Sequence, residues 1–207
     1  MKRPHVKIGP WVWLRRFRKR RGYGVHSPFA FNYITRVCNE TAPYYKYQEL
    51  KDMEKALRPS KSKEWGKVET MKLKRLLFRM VNRAQPQVLV ETGPDTAATL
   101  YLQAAKQQMA VIHLHGAEDL KLVEGQVTDF LYLRLGDIAF MHEAFEACFA
   151  NASRQLVVAV QGIHKGKPVQ ELWRELKSRA VITFDLYDIG ILFFDETYYK
   201  QDYIVNF

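Results

Sequence analysis

Residues 87–108 read QVLVETGPDTAATLYLQAAKQQ, and the rest of the chain is arranged around this stretch. It opens with the apolar run 88–90, passes through Glu91-Thr92-Gly93-Pro94-Asp95 and continues into an alanine-rich segment with apolar residues at helical spacing. This order predicts a strand, a turn and a helix. Ligands commonly bind at such a turn in open α/β sheets, because backbone N–H groups and the helix dipole converge there. Gly93 is the single glycine of this turn, whereas dinucleotide-binding loops usually carry two or three.

The flanking sequence predicts further helices and strands in alternation. Apolar spacing predicts one helix that starts at Ser27 and a second helix that ends near Pro59. Further helices are predicted over 69–84, 138–150 and 169–177. Strands are predicted over 110–114, 129–135, 155–160, 181–186, 189–194 and 202–207. The run 181–186 is separated from 189–194 by two residues, which favours an antiparallel pair at the end of a mainly parallel sheet. The pattern is typical of a three-layer α/β domain.

Charge is concentrated at the N-terminus. Nine of the 32 Lys and Arg residues lie in residues 1–24, which contain no acid, so the remainder carries 23 cations against 22 acids. We therefore distinguish a basic, aromatic arm (1–24), a helical segment (25–84) and a Rossmann-like domain (85–207). No apolar run is long enough to span a bilayer and no signal peptide is evident, so we expect a cytoplasmic protein. Cys38 and Cys148 match no metal or redox spacing and are expected to be buried thiols.

Two interpretations of the arm stay open. Its tryptophans and arginines suit an anionic partner, either nucleic acid or a membrane surface. Alternatively, Trp11, Leu14 and Phe17 form the apolar stripe of a helix that docks on its own domain.

Several segments resemble a bacterial family of class I S-adenosylmethionine (SAM)-dependent methyltransferases. They are YGVHSPFAFNYITRV, LKRLLFRMVNRAQPQVLVETG, TLYLQAA and the tail VITFDLYDIGILFFDETYYKQDYIVNF. The resemblance implies a Rossmann-like methyltransferase fold, SAM as cofactor and a small-molecule methyl acceptor, with an O-methyltransferase as one possibility. It also implies that Glu91, Gly93, Asp95 and Thr96 line the cofactor loop and that His115 lies near the ribose.

The chain departs from this family at the ligand-bearing positions. The second loop glycine is replaced by Ala97, and His115 stands where an acid is usual. Relatives carry an acidic D-G-N-H run where this chain has Arg134-Leu135-Gly136-Asp137, and Asp-Asp-Ile-His where it has Gln161-Gly162-Ile163-His164. On this resemblance Asp137 or His164 would be the catalytic base.

Too few residues separate the strand ending at Leu114 from the strand beginning at Asp129 for another strand and its helices. We therefore expect the third family strand to be missing and the sheet to have six strands.

Three functions follow. The first is a SAM-dependent methyltransferase with reduced or lost turnover. The second is a catalytically inactive methyltransferase-fold scaffold that uses its arm. The third is a metal site at His113 and His115, which share a strand face, with His164 as a further ligand; we expect no metal, because no cysteine or acid pair accompanies them.

Overall fold

The computed structural model describes residues 24–63 and 65–207. The predicted apolar stripe of the arm lies outside these residues. Helices are α1 (Pro28–Tyr33, continued by a π-turn at Ile34–Cys38), α2 (Lys46–Leu57), α3 (Met71–Ala84), α4 (Ala97–Ala104), α5 (Ile138–Phe149) and α6 (Lys167–Arg179). Strands are β1 (Val88–Thr92), β2 (Ala110–Leu114), β3 (Thr128–Leu133), β4 (Ala152–Gln161), β5 (Ile182–Asp185), β6 (Ile189–Phe193) and β7 (Gln201–Ile204).

The seven strands form one sheet in the order β2-β1-β3-β4-β6-β5-β7. β1 pairs in parallel with β2 and β3, and β3 pairs in parallel with β4. β6 runs antiparallel to both β4 and β5, which confirms the predicted pair around the Tyr187-Asp188 connection. The last strand, β7, then adds to β5 in parallel. This is the expected Rossmann-like methyltransferase architecture with an antiparallel strand near its C-terminus.

The predicted count of six strands was wrong. The third family strand is indeed missing, since β2 is the edge strand and a 3₁₀ turn (Ala117–Leu122) lies in the connection to β3. The last of the runs predicted as strands, 202–207, forms β7, which extends the opposite edge of the sheet and brings the count to seven.

Side chains cap three of the helices, and the cap at Ser27 is the one that the sequence predicts. Ser27 accepts a hydrogen bond from the Ala30 amide, with Pro28 in the first turn of α1. Thr96 and Asp137 cap α4 and α5 in the same way. These caps satisfy amide groups that the first helical turn leaves without partners.

The two faces of the sheet are both covered. α1, α3 and α4 pack on one face and share a core with Leu89, Phe130 and Tyr132. On the other face α5 and α6 pack against Val90, Leu131 and Val158. Helices from residues 25–84 therefore contribute to the core of the sheet.

Both cysteines are buried, as predicted, and burial raises the pKa of Cys38 to about 12 and that of Cys148 to about 11. Within residues 24–63 and 65–207, no helix combines the length and apolar character needed to cross a membrane.

Candidate functional site

The strand register brings charged residues together at the carboxyl end of the sheet. Glu91 on β1 is aligned with His113 on β2 and with Tyr132 on β3. Residues in register on parallel strands point to the same face, and so does a residue two positions further on. Arg134, two residues after Tyr132, consequently reaches the same face, which is the face covered by α4.

Arg134 is the centre of a buried polar cluster. Its Nε lies 3.0 Å from Oε1 of Glu69, and its Nη2 lies 2.8 Å from Oε2 of Glu91. Its Nη1 donates to the carbonyls of Thr92 (2.8 Å) and Pro94 (3.0 Å). We call Arg134, Glu69, Glu91 and Tyr132 the Arg134 cluster; all four residues are at most 2% exposed.

The Arg134 side chain also covers the glycine of the predicted cofactor loop. Gly93 has φ +84°, a conformation that favours glycine. A Cβ added at Gly93 would lie 3.7–4.0 Å from Cβ, Cγ and Cδ of Arg134. The aliphatic part of Arg134 therefore packs directly over this loop while its guanidinium bonds the loop carbonyls.

Glu91 has no exposed surface and already accepts from three side chains. Besides Arg134, it accepts from Thr99 Oγ1 at 2.9 Å and lies 3.0 Å from Nδ1 of His113. Burial alone would raise the pKa of Glu91, but the His113 hydrogen bond and the Arg134 charge outweigh it and hold that pKa below its usual range. The same hydrogen bond raises the pKa of His113.

Glu69 immediately precedes Thr70, the N-cap residue of α3. Its Oε1 accepts from Arg134 and, at 3.4 Å, from the Tyr132 hydroxyl, while its Oε2 is buried without a partner among the described residues. Burial raises the pKa of Tyr132 well above its ordinary value, so this hydroxyl stays protonated and donates. Glu69 and Arg134 were not among the predicted site residues, and His113 was considered only as a possible metal ligand.

Three further residues were predicted to contact the cofactor: Asp95, Thr96 and His115. Asp95 pairs with Lys61 at 2.8 Å, and Thr96 caps α4. His115 is exposed at the end of β2, with its ring parallel to that of His113 at a centroid distance of 6.3 Å. Asp95, His113 and His115 line the same groove.

The two candidates for a catalytic base lie on separate loops, after β3 and after β4. Asp137 is exposed and accepts from the Phe140 amide as the cap of α5. His164 Nε2 lies 2.9 Å from Oδ2 of Asp185, and its ring stacks on Tyr187, which has φ +76°. Gln161, the last residue of β4, accepts from the Leu135 amide at 3.1 Å and connects the ends of β3 and β4.

The structure places possible metal ligands elsewhere. In the described part of the chain, one group of three His, Cys, Asp or Glu residues has ligand atoms within 4.8 Å of one another: His142, Glu146 and Glu175. They lie on α5 and α6, and Arg179 pairs with Glu146. His113 and His115 do not belong to such a group, and His164 pairs with Asp185 instead of joining them.

Comparison with known proteins relates the chain to methyltransferases by structure. No family model and no curated protein matches the sequence. The S-adenosylhomocysteine (SAH)-bound Podospora anserina methyltransferase PaMTH1 is 8% identical with a TM-score of 0.52, over 81% of this chain and 96% of its own. The O-methyltransferase TomG from Streptomyces achromogenes, solved with SAM and involved in tomaymycin synthesis, is 13% identical with a TM-score of 0.54, over 86% and 98% of the two chains.

A third structure is the O-methyltransferase from Bacillus cereus in complex with SAH. It is 12% identical with a TM-score of 0.53, over 76% of this chain and 94% of its own. Identities this low establish the fold alone. The chain therefore has the Rossmann-like fold of SAM-dependent methyltransferases, and its function has to be argued from its own residues.

Proposed function

We propose that this protein keeps the methyltransferase fold as a binding scaffold and does not transfer a methyl group from SAM. The observation that carries the proposal is the position of Arg134, whose side chain packs over Gly93 and bonds Glu91 and the carbonyls of the cofactor loop.

The charge at this position differs from what the resemblance implies for a SAM site. The guanidinium of Arg134 bonds the loop carbonyls of Thr92 and Pro94 and pairs with Glu69 and Glu91. By resemblance, relatives carry an acid where this chain has Arg134, so the sign of the charge is reversed at the position that would face the cofactor.

The hydrogen-bonding groups argue in the same direction. The carboxylate of Glu91 is occupied by Arg134, Thr99 and His113, and Thr96 is used as a helix cap. Displacing Arg134 to admit a ligand would leave Glu69 and Glu91 as buried carboxylates without their cation, which is strongly unfavourable. The residues present therefore do not fit SAM without rearrangement of the Arg134 cluster.

The groups that would remove a proton give no support for turnover either. Asp137 and His164 lie on different loops, and each has a local partner. A general base must lie within hydrogen-bond reach of the proton that it removes, and SAM would have to bind beside Gly93 for either residue to serve.

Isothermal titration calorimetry of the full chain with SAM and with SAH tests the proposal. We expect no saturable heat of binding at ligand concentrations up to the millimolar range. A SAM-binding O-methyltransferase in the same buffer is the positive control. Saturable, stoichiometric binding of either compound would overturn it. The scaffold role of the arm through an anionic partner is a separate prediction, taken up in the Discussion.

A further inference from the structure

A second cluster of polar side chains lies between α5 and α6, on the face of the sheet opposite the Arg134 cluster. His142 and Glu146 are four residues apart on α5, so they lie on the same side of that helix. Glu175 is on α6, which packs against the same face of the sheet as α5. We call His142, Glu146 and Glu175 the interhelix cluster.

The distances within the interhelix cluster are close to those between ligands of one metal ion. Nε2 of His142 lies 2.8 Å from Oε1 of Glu175 and 3.7 Å from Oε1 of Glu146. Each residue offers one ligand atom, and all three atoms lie within 4.8 Å of one another. Zinc–nitrogen and zinc–oxygen bonds of about 2.0–2.2 Å place neighbouring ligand atoms roughly 3–3.5 Å apart. Small movements of the three side chains would therefore bring all three atoms into contact with one ion.

The ligand atoms of the cluster select the class of ion. An imidazole nitrogen suits zinc and other transition metals, whereas magnesium and calcium prefer sites made of oxygen atoms alone. One imidazole with two carboxylates is a common ligand type for zinc, and three protein ligands leave a coordination position for water. The side chains of His142, Glu146 and Glu175 are 40%, 43% and 50% exposed, so an ion and its water can enter from the solvent.

Arg179 supplies positive charge to one side of the cluster. It lies four residues after Glu175 on α6, and its Nη1 contacts Oε1 of Glu146. Its guanidinium also lies over the rings of Phe145 and Phe149, at 4.8 and 4.4 Å from the ring centroids, and these contacts do not depend on Glu146. Exposed ion pairs contribute little to stability, so Glu146 can exchange Arg179 for a metal ion. Arg179 is thus a competitor for one of the three ligands.

We propose that His142, Glu146 and Glu175 bind a divalent transition-metal ion of the zinc type, which links α5 to α6. The ion replaces Arg179 at Glu146 and is bound by Nε2 of His142 and one carboxylate oxygen from each glutamate. Because the three ligands come together only in the folded chain, binding of the ion stabilises the fold. This goes beyond the proposed function, since the site shares no residue with the Arg134 cluster and does not depend on whether SAM binds.

The test is isothermal titration calorimetry of the full chain, treated with a chelator and dialysed, with zinc chloride. We expect saturable binding, which His142→Gln and Glu175→Gln each weaken by at least roughly tenfold, since even changes in residues that only orient a metal ligand have such effects. His115→Gln is the matched control, because it removes an exposed histidine outside the cluster and should bind zinc as the parent does. Magnesium chloride at the same concentrations should give no saturable heat.

Two further measurements separate this site from adventitious binding by a surface histidine. Arg179→Met removes the competing cation and keeps all three ligands, so it should bind zinc more tightly than the parent. Zinc should also raise the Tm of the parent and leave that of His142→Gln unchanged. The proposal is overturned if the parent does not bind zinc, if folded His142→Gln or Glu175→Gln binds as tightly as the parent, if His115→Gln abolishes binding, if magnesium binds equally well, or if Arg179→Met does not tighten binding.

Discussion

The Nη2 atom of Arg134 lies 2.8 Å from Oε2 of Glu91, in a place where both side chains are at most 1% exposed. Glu69 adds a second buried carboxylate to the same guanidinium. One cation faces two carboxylates, and the Glu91 hydrogen bond raises the pKa of His113, whose protonation would balance the charge. The Arg134 cluster and His113 therefore form one electrostatic unit that links the residue before the α3 cap with β1, β2 and the end of β3.

The first prediction concerns the cation of this unit. Arg134→Met keeps most of the packing over Gly93 but leaves two buried carboxylates unpaired, so we expect a loss of about 3–5 kcal/mol in the free energy of unfolding. Urea denaturation followed by circular dichroism measures it. The triple variant E69Q/E91Q/R134M, which removes all three formal charges, should recover most of the loss.

Arg154→Met is the matched control for this prediction. Arg154 pairs with Asp195 at 3.2 Å, but its side chain is 68% exposed. Exposed pairs contribute up to about 1 kcal/mol. Equal losses for R134M and R154M would contradict the account of the Arg134 cluster.

The second prediction concerns pH. Folding raises the pKa of His113, so its contribution to stability is complete below about pH 6.5, the unfolded value, and is lost as pH rises through the folded pKa. Glu91 acts in the opposite sense, since its folded pKa is lowered and its contribution is lost in acid, as pH falls through that pKa. Urea denaturation measures the free energy of unfolding of the wild type and of the His113→Gln variant from mildly acidic to mildly alkaline pH. The wild-type value should fall with rising pH relative to that of the variant. Parallel curves, or a relative rise with pH, would be inconsistent with the His113–Glu91 contact.

The third prediction tests the packing of α6 on β6. A Cβ at Gly190 would lie 2.4–2.8 Å from three ring carbons of Trp173, so Gly190→Ala overpacks this contact. We expect a loss of about 1–3 kcal/mol in the free energy of unfolding. Gly136→Ala is the control, because its nearest contact would be at 3.9 Å. A neutral Gly190→Ala would show that α6 does not pack as described.

The fourth prediction concerns the arm, whose role is expected from sequence alone. Deleting residues 1–21 removes nine cations and brings the formal net charge from +10 to +1. If the arm binds an anionic partner, the full chain should elute from immobilised heparin at clearly higher salt than the deletion variant. Elution of both at the same salt concentration would remove the anionic-partner interpretation.

Much of the fold could be predicted because the apolar runs, the glycine position and the lengths of the connections all indicated the same strands and helices. The run 88–90 followed by Gly93 and an alanine-rich segment predicted β1 and α4, and the two-residue connection at Tyr187-Asp188 predicted the antiparallel pair of β5 and β6. The position of β7 could not be obtained in this way. Its pairing with β5 in parallel is a long-range contact that no turn connects directly.

The candidate site was less predictable for the same reason. From the sequence, Arg134 is interpreted only as the loss of an acid, because its partners Glu69 and Glu91 lie 65 and 43 residues away along the chain. One signal could have indicated the pair: Glu91 ends a buried strand, and a buried carboxylate needs a cation from a neighbouring strand.

Crystals grown with millimolar SAH show whether Arg134 excludes the ligand from the loop. We expect electron density for the Arg134 side chain over Gly93, with its guanidinium between Glu69 and Glu91 and no SAH beside the loop. Density for SAH at Gly93, with Arg134 turned away from Glu91, would refute the proposed function.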